Sequence, residues 1–549
     1  MDFWRFLLYN IGMEQEGGGG MEKSANQPYP PEIAAILQQM QSDISALREQ
    51  LKARDSEIER LTQLLVNAQR ARFGQRSEKQ TYVIDDGSEQ LSLFNEAEQE
   101  ASEDAPEPKV ETFVPAHVRK KKRTKEEIFK SLATQEAEYE LSPDQLVDEQ
   151  GYRYECIGRE FVRSEMIMIP QQVYLMNYFR TVYASKQYEK DTGYASIRKP
   201  ELPQPVMKHS MASPSSVADV MTKKYVNGMP LYRQEQEWKR MGVELSRNTL
   251  ANWVIRPTND WFLPLYELLK QTLLEEPIIH ADETHLQVLK EDGKAATSRS
   301  EMWVYASAPR SKRQIRYFDY QTSRSGECAK TFLTGFQGVL ICDGYSGYNK
   351  LEDITRGGCW AHVRRKWRDA IPKGIKPEGS KAVQGFEYCN RLFALEKKMA
   401  KLSDDERLEE RRKSSRALLD EYWAWLDSFV PEKGSKLEEA VRYSLNQKEY
   451  LCAFMDHGGM EISNNQVENA IRPFVIGRKG WLFCDTPKGA TASAVVYTLV
   501  ETAKANHIDP YRYLLRLLTI LPMYGGKPSL ENLEQLLPWS QYLQKECAV

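Results

Sequence analysis

The chain has 549 residues, of which 41% are hydrophobic and 28% are charged, and its formal net charge is -3. This length predicts several domains, because a single hydrophobic core rarely organises more than about 250 to 300 residues. The composition is that of a globular protein, and no apolar run reaches the roughly 18 residues that a membrane-spanning helix needs. The small net charge excludes a uniformly basic surface, so contact with nucleic acid would depend on local basic patches.

The eight cysteines are scattered along the chain and form no CxxC pair. Neither a disulfide framework nor a zinc knuckle is therefore predicted from the sequence, and a reducing cytosol fits best. The cysteines are Cys156, Cys328, Cys342, Cys359, Cys389, Cys452, Cys484 and Cys547.

The first segment, residues 1–20, is predicted to be an extension outside the fold. It has an apolar stretch but no basic leader and no small-residue cleavage site, which argues against a secretory signal. The Gly17–Gly20 run would be encoded by codons that resemble a bacterial ribosome-binding site, so Met21 is a candidate native start beside Met1.

Residues 31–75 carry apolar residues at helical spacing. Met40, Ile44, Leu47 and Leu51 alternate steps of four and three, which is the heptad pattern of a coiled coil. We therefore expect this segment to join copies of the chain into a homo-oligomer. The alternative is one long helix that packs on its own domain.

Residues 80–118 are acidic and contain Pro and Ser, a composition that predicts a linker. A basic run, Arg119–Lys125, follows and opens a small mixed domain predicted over residues 119–210. Within it, alternating apolar residues predict strands at Phe161–Ile169 and Val173–Tyr178.

Residues 211–258 are predicted to form a helix-turn-helix. Three helices are expected, at Ser215–Tyr225, Leu231–Met241 and Ser246–Ile255, with Gly242 closing the second and Ser246 capping the third. In that arrangement Arg247, Asn248 and Asn252 would face DNA. The alternative is a three-helix packing unit that does not contact DNA.

A catalytic core of the α/β class is predicted from the segments that follow. Pro277–Leu289 reads as a strand with an acidic pair at its centre, Asp282 and Glu283, although burying an unpaired carboxylate is costly. Two strands, Met302–Ala306 and Ile315–Phe318, and a helix, Ser325–Phe336, come next. A buried strand then ends at Asp343 and Gly344.

The order strand, strand, strand, helix, strand is that of a ribonuclease-H-like sheet. In such a sheet the first and fourth strands are neighbours, which would bring Asp282 and Asp343 together. The third acid is predicted to be Glu468, in a helix that begins with a capping box formed by Ser463 and Gln466.

Three carboxylates in this order indicate divalent-metal chemistry. Mg²⁺ prefers oxygen ligands, and two such ions about 3.5 to 4 Å apart stabilise both the attacking and the leaving oxygen of a phosphoryl transfer. We therefore expect Asp282, Asp343 and Glu468 to be both the catalytic residues and the ligands of two Mg²⁺ ions, with Mn²⁺ as a substitute.

The core is predicted in two parts, residues 270–375 and 459–508, with a helical insertion at 376–458 and a C-terminal helical tail at 509–549. Amphipathic helices predict the insertion. Basic residues on either side of it could hold phosphates. They are Arg364, Arg365 and Lys366 before the insertion and Arg472, Arg478 and Lys479 after it.

With these residues in hand, the chain resembles the transposases of bacterial insertion sequences of the IS-sixty-six (IS66) type. The resemblance runs over nearly the whole length from the coiled coil onward. It is carried by Arg72–Lys79, Pro230–Glu235, Ala281–Thr284, Cys342–Tyr345, Cys359–His362, Asn464–Pro473, Glu501–Asn506, Asp509–Tyr511 and Leu536–Trp539.

The resemblance implies a DDE-type reaction, in which the element's ends are cut and the freed 3′ hydroxyl attacks target DNA. The helix-turn-helix would then help to recognise terminal inverted repeats. Members of this family often have a zinc-binding module at the place of residues 150–195, where this chain has only Cys156, with Ser185 and Tyr188 at the second CxxC. We therefore expect no structural zinc.

Two other functions are compatible with these patterns. One is a ribonuclease-H-like nuclease that cuts without strand transfer, and the other is a DNA-binding repressor with a vestigial catalytic core. The expected partners are double-stranded DNA, further copies of the chain and accessory proteins encoded by the same element. The expected location is the bacterial cytoplasm, at the nucleoid.

Overall fold

The computed structural model describes residues 171–372, apart from Ala195, and residues 380–548, together with scattered positions between 35 and 61 and between 136 and 159. The strands are β1 (Tyr183–Ala184), β2 (Ile197–Arg198), β3 (Ile278–Gln287), β4 (Arg299–Ser307), β5 (Arg316–Gln321), β6 (Val339–Ile341) and β7 (Thr355–Gly357). Among the described residues, no helix has the length and apolar character that crossing a membrane requires.

Seventeen α-helices are present in the described residues from Gln171 onward. The first nine are α1 (Lys186–Thr192), α2 (Pro214–Tyr225), α3 (Leu231–Arg240), α4 (Arg247–Pro257), α5 (Leu263–Leu274), α6 (Gly326–Phe332), α7 (Trp360–Ala370), α8 (Lys381–Lys398) and α9 (Asp404–Glu410). The others are α10 (Arg416–Asp427), α11 (Lys436–Asn446), α12 (Lys448–Cys452), α13 (Asn465–Trp481), α14 (Pro487–Ala505), α15 (Pro510–Ile520), α16 (Leu530–Gln535) and α17 (Gln541–Cys547).

The chain divides into two compact units. One comprises Met1–Ser77 and Gly357–Ser463, and its described part from Gly357 onward is called the helical unit. The other comprises Glu78–Arg356 and Asn464–Val549 and is called the sheet unit.

A five-stranded mixed sheet forms the centre of the sheet unit, in the order β5-β4-β3-β6-β7. β3 pairs antiparallel with β4, β4 pairs antiparallel with β5, and β3 pairs parallel with β6. The first four residues of β3 and all of β6 are buried, as expected for strands in the middle of a sheet. The predicted order of strands and helix is thus observed, and the core is α/β.

The edge strand β5 is covered by α14. The hydroxyl of Thr498 accepts a hydrogen bond from the Phe318 N–H at 2.8 Å, and that of Thr502 accepts one from the Arg316 N–H at 3.0 Å. Because Thr498 and Thr502 are four residues apart, both hydroxyls lie on the same face of the helix. Main-chain groups that an edge strand would leave unpaired are therefore satisfied by a helix.

The three helices predicted before the core are α2, α3 and α4. The Ser246 hydroxyl accepts a hydrogen bond from the Thr249 N–H at 3.1 Å and so caps α4, and Gly242 closes α3 with a φ of 84°. α2 packs against α4 and also against α14 and α15, so this helical segment shares its core with the sheet.

The strand predicted at Val173–Tyr178 is wrong. These residues are described but lie outside regular secondary structure, and their apolar side chains are exposed. Alternation of apolar residues is not sufficient for a strand, because the main chain also needs a hydrogen-bonded neighbour. The other predicted strand, Phe161–Ile169, lies outside the described residues.

Part of the predicted coiled coil is described. Residues 42–50 are helical, and Met40, Ile44 and Leu47 of the predicted seam are each about half exposed. Leu51 and the whole acidic linker lie outside the described residues. Association through this helix stays a prediction.

The helical unit is built from α7 to α12, and the insertion predicted from the amphipathic stripes is observed as α8 to α12. A buried ion network holds it together. Glu396 accepts hydrogen bonds from both Arg407 and Arg411, and Arg407 also binds Glu461. The fully buried Arg411 guanidinium donates to main-chain carbonyls between residues 454 and 460, so it fixes the path of that loop.

Candidate active site

Asp282 lies in β3, and Asp343 lies two residues beyond the end of β6, the parallel neighbour of β3. β3 and β6 pair in the register Ile278 with Val339, Ile279 with Leu340 and His280 with Ile341. Continued two residues beyond the last pair, the same register would align Asp282 with Asp343. Since neighbouring strands lie about 4.8 Å apart, this register brings the two residues near each other.

The chain turns immediately after Asp343. One oxygen of the Asp343 carboxylate accepts a hydrogen bond from the Tyr345 N–H at 2.9 Å, which is the hydrogen bond of an Asx-turn. A short 3-10 helix, Ser346–Lys350, follows and buries Tyr348. The turn therefore limits the orientations that the Asp343 carboxylate can adopt.

Asn464 connects the helix of Glu468 to the strand of Asp282. Its side-chain amide donates to the main-chain oxygen of Ala281 at 2.9 Å, and its side-chain oxygen lies 3.1 Å from Nδ1 of His280. Because the Asn464 oxygen can only accept, His280 must carry its proton on Nδ1. Asn464 and His280 are both fully buried.

The predicted capping box at Ser463 is wrong. The helix α13 begins at Asn465, its N-cap residue is Asn464, and no side chain caps it. The Asn464 side chain is used for the contact with β3 instead. Glu468 lies in the first turn of α13, and its N–H donates to the main-chain oxygen of Asn464 at 3.2 Å.

The electrostatics of Asp282 bring the three predicted acids into one neighbourhood. The pKa of its carboxyl is raised to about 8, mainly by burial and further by the negative charges of Glu283, Asp343 and Glu468. A hydrogen bond from the Glu283 N–H opposes this increase in the pKa. A positive ion among these carboxylates would relieve the repulsion and favour the charged form of Asp282.

Glu283 contacts different groups from its neighbour Asp282. Its carboxylate accepts hydrogen bonds from Arg324 at 2.8 Å and from the Tyr348 hydroxyl at 2.9 Å. Burial raises the pKa of Glu283, and the hydrogen bond from Arg324 opposes that increase. Successive residues of a strand point to opposite faces, so the alternation in β3 was a signal that Asp282 and Glu283 have different roles. The partners of Glu283, Arg324 and Tyr348, were not predicted from the sequence.

Arg324 itself stacks on an aromatic ring. Its guanidinium carbon lies 4.1 Å from the ring centroid of Tyr345, and its side chain is 45% exposed. Glu283, Arg324 and Tyr345 thus join β3 to the turn that follows Asp343.

The residues predicted to contact DNA occupy different environments. On α4, Arg247, Asn248 and Asn252 are exposed, and Arg247 pairs with Glu235 at 3.4 Å.

On α13, Arg472 and Lys479 are exposed. Arg478 is half-buried and donates to the hydroxyl of Thr284 on β3 at 3.2 Å. It therefore helps to hold α13 against the strand of Asp282.

In the helical unit, the predicted basic residues lie on α7. Arg364 donates to the side-chain oxygen of Asn390 at 2.7 Å and lies over the ring of Phe386, so it has a packing role. Lys366 is half-buried, and Arg365 is the exposed member of the three.

These features describe an α/β protein with acidic residues near the place where the parallel pairing of two central strands of a mixed sheet ends. The family model described as "Transposase IS66 family" matches residues 209–492, which include this whole cluster. The chain belongs to the IS66 transposase family. Models described as "IS66 C-terminal element" and "Transposase C of IS166 homeodomain" match residues 498–539 and 60–136.

Three relatives from Sinorhizobium fredii are similar over most of their length. The uncharacterized protein y4qI is 30% identical over 541 residues, which cover 94% of each chain. The uncharacterized protein y4hP is 27% identical, with 71% of this chain and 72% of the relative covered. For the uncharacterized protein y4jD the identity is 28%, with 69% and 75% covered.

Proposed function

We propose that the protein is a DDE transposase that cleaves the ends of an insertion sequence and joins them to target DNA by metal-dependent phosphoryl transfer. Asp282, Asp343 and Glu468 are the catalytic residues of this proposal. The observation that carries it is the arrangement of β3, β6 and α13: β3 pairs parallel with β6, and Asn464 at the start of α13 donates to the Ala281 oxygen on β3, so the elements that carry the three acids meet. Membership in the IS66 family supports the same conclusion.

A ribonuclease-H-like core is part of this proposal. Its support is the sheet order β5-β4-β3-β6-β7, with antiparallel pairing on one side of β3 and parallel pairing on the other. In this arrangement the central strand and its parallel neighbour each supply one acid, and a later helix supplies the third.

The donor set fits Mg²⁺. Asp282, Asp343 and Glu468 offer only carboxylate oxygens, and a cation would offset the burial and the negative charges that raise the pKa of Asp282. These three residues would hold the ions. When bound, Mg²⁺ supplies charge stabilisation of the pentavalent phosphate and lowers the pKa of an attacking water.

The surrounding residues keep the carboxylates in place. Asn464 holds the first turn of α13 against β3, and the turn at Tyr345 restrains Asp343. The contact of Arg478 with Thr284 holds the same helix further along. Such restraint matters because misplacement of a catalytic group by about 1 Å can reduce a rate by about a hundredfold.

DNA recognition is assigned to exposed polar residues. Arg247, Asn248 and Asn252 on α4 would read the terminal repeats, as the second helix of a helix-turn-helix does. Arg472 and Lys479 on α13 and Arg365 on α7 would contact phosphates. The N-terminal coiled coil would pair two protein copies, since transposition requires two DNA ends in one assembly.

The proposal is tested with the full-length protein, a DNA fragment that carries the flanking element end, and a supercoiled target plasmid. With Mg²⁺ we expect a cut with a free 3′ hydroxyl at the element end and joined products in the plasmid, whereas EDTA should abolish both. Asp282→Ala should lose cleavage by at least about a thousandfold while DNA binding is retained. Glu352→Gln, an exposed acid in the same unit, is the matched control and should cleave normally.

The outcomes separate the alternatives. Cleavage without joined products would favour a nuclease that lacks strand transfer. Specific binding without cleavage would favour a repressor with a vestigial core. Cleavage that persists in Asp282→Ala would overturn the assignment of the acids.

A further inference from the structure

The helix of Glu468 ends in a strained turn. Leu482 has φ 65° and ψ -54°, and the Phe483 N–H donates to the main-chain oxygen of Trp481 at 2.8 Å. These values describe a γ-turn of the rare form with positive φ, which is unfavourable for a residue with a branched side chain. Strained residues of this kind persist only where the surroundings enforce them, and they are concentrated at functional sites.

The surroundings of this turn do enforce it. On its far side, the Cys484 N–H donates to the main-chain oxygen of Gln287 at 2.9 Å, and the Cys484 oxygen accepts from Leu289 at 3.0 Å. Lys290 and Asp485 add an ion pair at 2.8 Å. The chain beyond the turn is therefore fixed to the end of β3.

On its near side, the last turns of α13 are closely packed. A Cβ at Gly477 would lie 2.7 Å from the Tyr497 hydroxyl, and one at Gly480 would lie 3.3 Å from the main-chain oxygen of Gly228. The strain at Leu482 is thus held between two rigid attachments, one to the core and one to β3.

The turn exposes two apolar side chains. Leu482 is 64% exposed and Phe483 is 43% exposed, although each could lower the free energy of folding by burial. The exposed cations Lys479 and Lys488 flank them along the chain. An apolar pair between cations is complementary to DNA, whose phosphates attract the cations and whose stacked bases accept an apolar side chain.

The turn lies at a defined distance from the acidic cluster. Val288, which bridges to Cys484, is six residues beyond Asp282, or about 20 Å along an extended strand. Leu482 is likewise 14 residues beyond Glu468, or about 21 Å along a helix. At about 3.4 Å per base pair, both estimates correspond to roughly six base-pair steps.

We propose that Leu482 and Phe483 form a wedge that inserts between base pairs of the bound DNA end, about six steps from the cleaved phosphate. The wedge would bend the end and hold its scissile phosphate against the carboxylates. This inference rests on the proposed function and adds to it a base-unstacking contact and its location.

The test uses substitutions that remove the Leu482 side chain from the wedge without straining the backbone. Glycine and asparagine tolerate positive φ, so Leu482→Gly and Leu482→Asn should fold with unchanged or higher melting temperature. Met523→Gly, which removes another exposed apolar side chain in the same unit, is the matched control. Element ends with 2-aminopurine at successive positions report unstacking as a rise in fluorescence.

We expect the wild-type protein to raise the fluorescence at one or two adjacent positions, about six steps from the cleaved phosphate. Both Leu482 variants should lose this signal and bind the end about tenfold more weakly, whereas Met523→Gly should behave like the wild type. An unpaired base at the wedge position should restore the affinity of Leu482→Gly for the end.

The proposal is overturned if no position becomes brighter, or if the signal persists in Leu482→Gly. If Leu482→Gly changed the oligomeric state but not the 2-aminopurine fluorescence, the turn would instead be a contact between copies of the chain. Because unstacking is measured on binding, it can be followed in Asp282→Ala, so a failure of the cleavage proposal is distinguished from a failure of the wedge.

Discussion

The side chain of Asn464 donates a hydrogen bond to the main-chain oxygen of Ala281, the residue that precedes Asp282. This one contact links the start of the helix that carries Glu468 to the strand that carries Asp282. Its partner His280 is kept neutral, because burial lowers its pKa to about 4.

Asn464→Ala should reduce cleavage about ten- to a hundredfold, as is typical when an outer partner of a metal ligand is removed. The Mg²⁺ concentration at half-maximal rate should rise, because Glu468 is less well positioned, while binding of the DNA end stays unchanged. Asn465→Ala replaces an exposed neighbour and serves as the control. An unchanged Mg²⁺ dependence in Asn464→Ala would show that the contact has only a structural role.

Replacement of Asp343 should raise the stability of the metal-free protein and remove its stabilisation by metal. Asp343→Asn removes a negative charge that acts on Asp282, so its melting temperature without metal should exceed that of the wild type. Addition of Mg²⁺ or Mn²⁺ should raise the melting temperature of the wild type, because an ion that binds only the folded state stabilises it, but should have little effect on the variant. Thermal denaturation with and without EDTA measures both melting temperatures. An equal increase on addition of metal in the wild type and in Asp343→Asn would contradict the assignment of Asp343 as a metal ligand.

The proposed contact of α4 with DNA predicts that a substitution on α4 reduces discrimination between the terminal repeat and unrelated DNA. Asn252→Ala should reduce the difference in binding free energy between the terminal repeat and unrelated DNA by about 1 to 3 kcal/mol. Lys479→Ala should weaken binding to both DNAs equally and reduce the dependence on salt by about one ion. Titrations at several salt concentrations measure these effects, with Gln535→Ala as an exposed control. Equal losses for both DNAs in Asn252→Ala would leave α4 as a packing helix.

The buried ion network of the helical unit predicts a pH-dependent stability. Burial alone would raise the pKa of Glu396, but the hydrogen bonds and charges of Arg411 and Arg407 outweigh burial and lower the pKa below the usual 4.5. A carboxyl with a lowered pKa in the folded state stabilises the fold above its unfolded-state pKa, and this stabilisation is lost as the pH falls through the folded-state value.

Wild-type protein should therefore be more stable than Glu396→Gln near neutral pH, and the difference should shrink below about pH 4.5. Urea denaturation between pH 7 and pH 3 measures it. Glu409→Gln, at a side chain that is 73% exposed, should show no such difference. A constant difference between wild type and Glu396→Gln across this range would rule out the charged form of Glu396 as its source.

Close packing in the helical unit predicts a position that cannot accept a methyl group. A Cβ at Gly385 would lie 2.4 Å from the buried indole of Trp367, so Gly385→Ala should destabilise the protein by about 1 to 3 kcal/mol through overpacking. Gly489→Ala, where the nearest atom would be 3.6 Å away, should be neutral or stabilising because alanine favours a helix. Urea denaturation of the two variants measures their free energies of unfolding. An equal loss of stability in both would contradict the prediction.

Much of the fold was predictable because its signals are local. Apolar periodicity located α2 to α4 and the strands β3 to β6 within a few residues, and it identified the helical insertion. The three acids of the proposed site were named from the sequence, since each stands at a recognisable place on its element. The predictions at Val173–Tyr178 and at Ser463 failed. At both places the local pattern was present, but the structure that forms depends on contacts with distant segments.

The sequence by itself determined which segments become helices or strands and which three acids are available, because these depend on neighbours a few residues away. Only the tertiary structure decided that Asn464 uses its amide on β3 rather than as a cap, that Glu283 pairs with Arg324, and that Leu482 is held at positive φ. Each of these depends on the register in which segments distant along the chain meet. Many registers satisfy the same local pattern, and the packing of the whole core selects one of them.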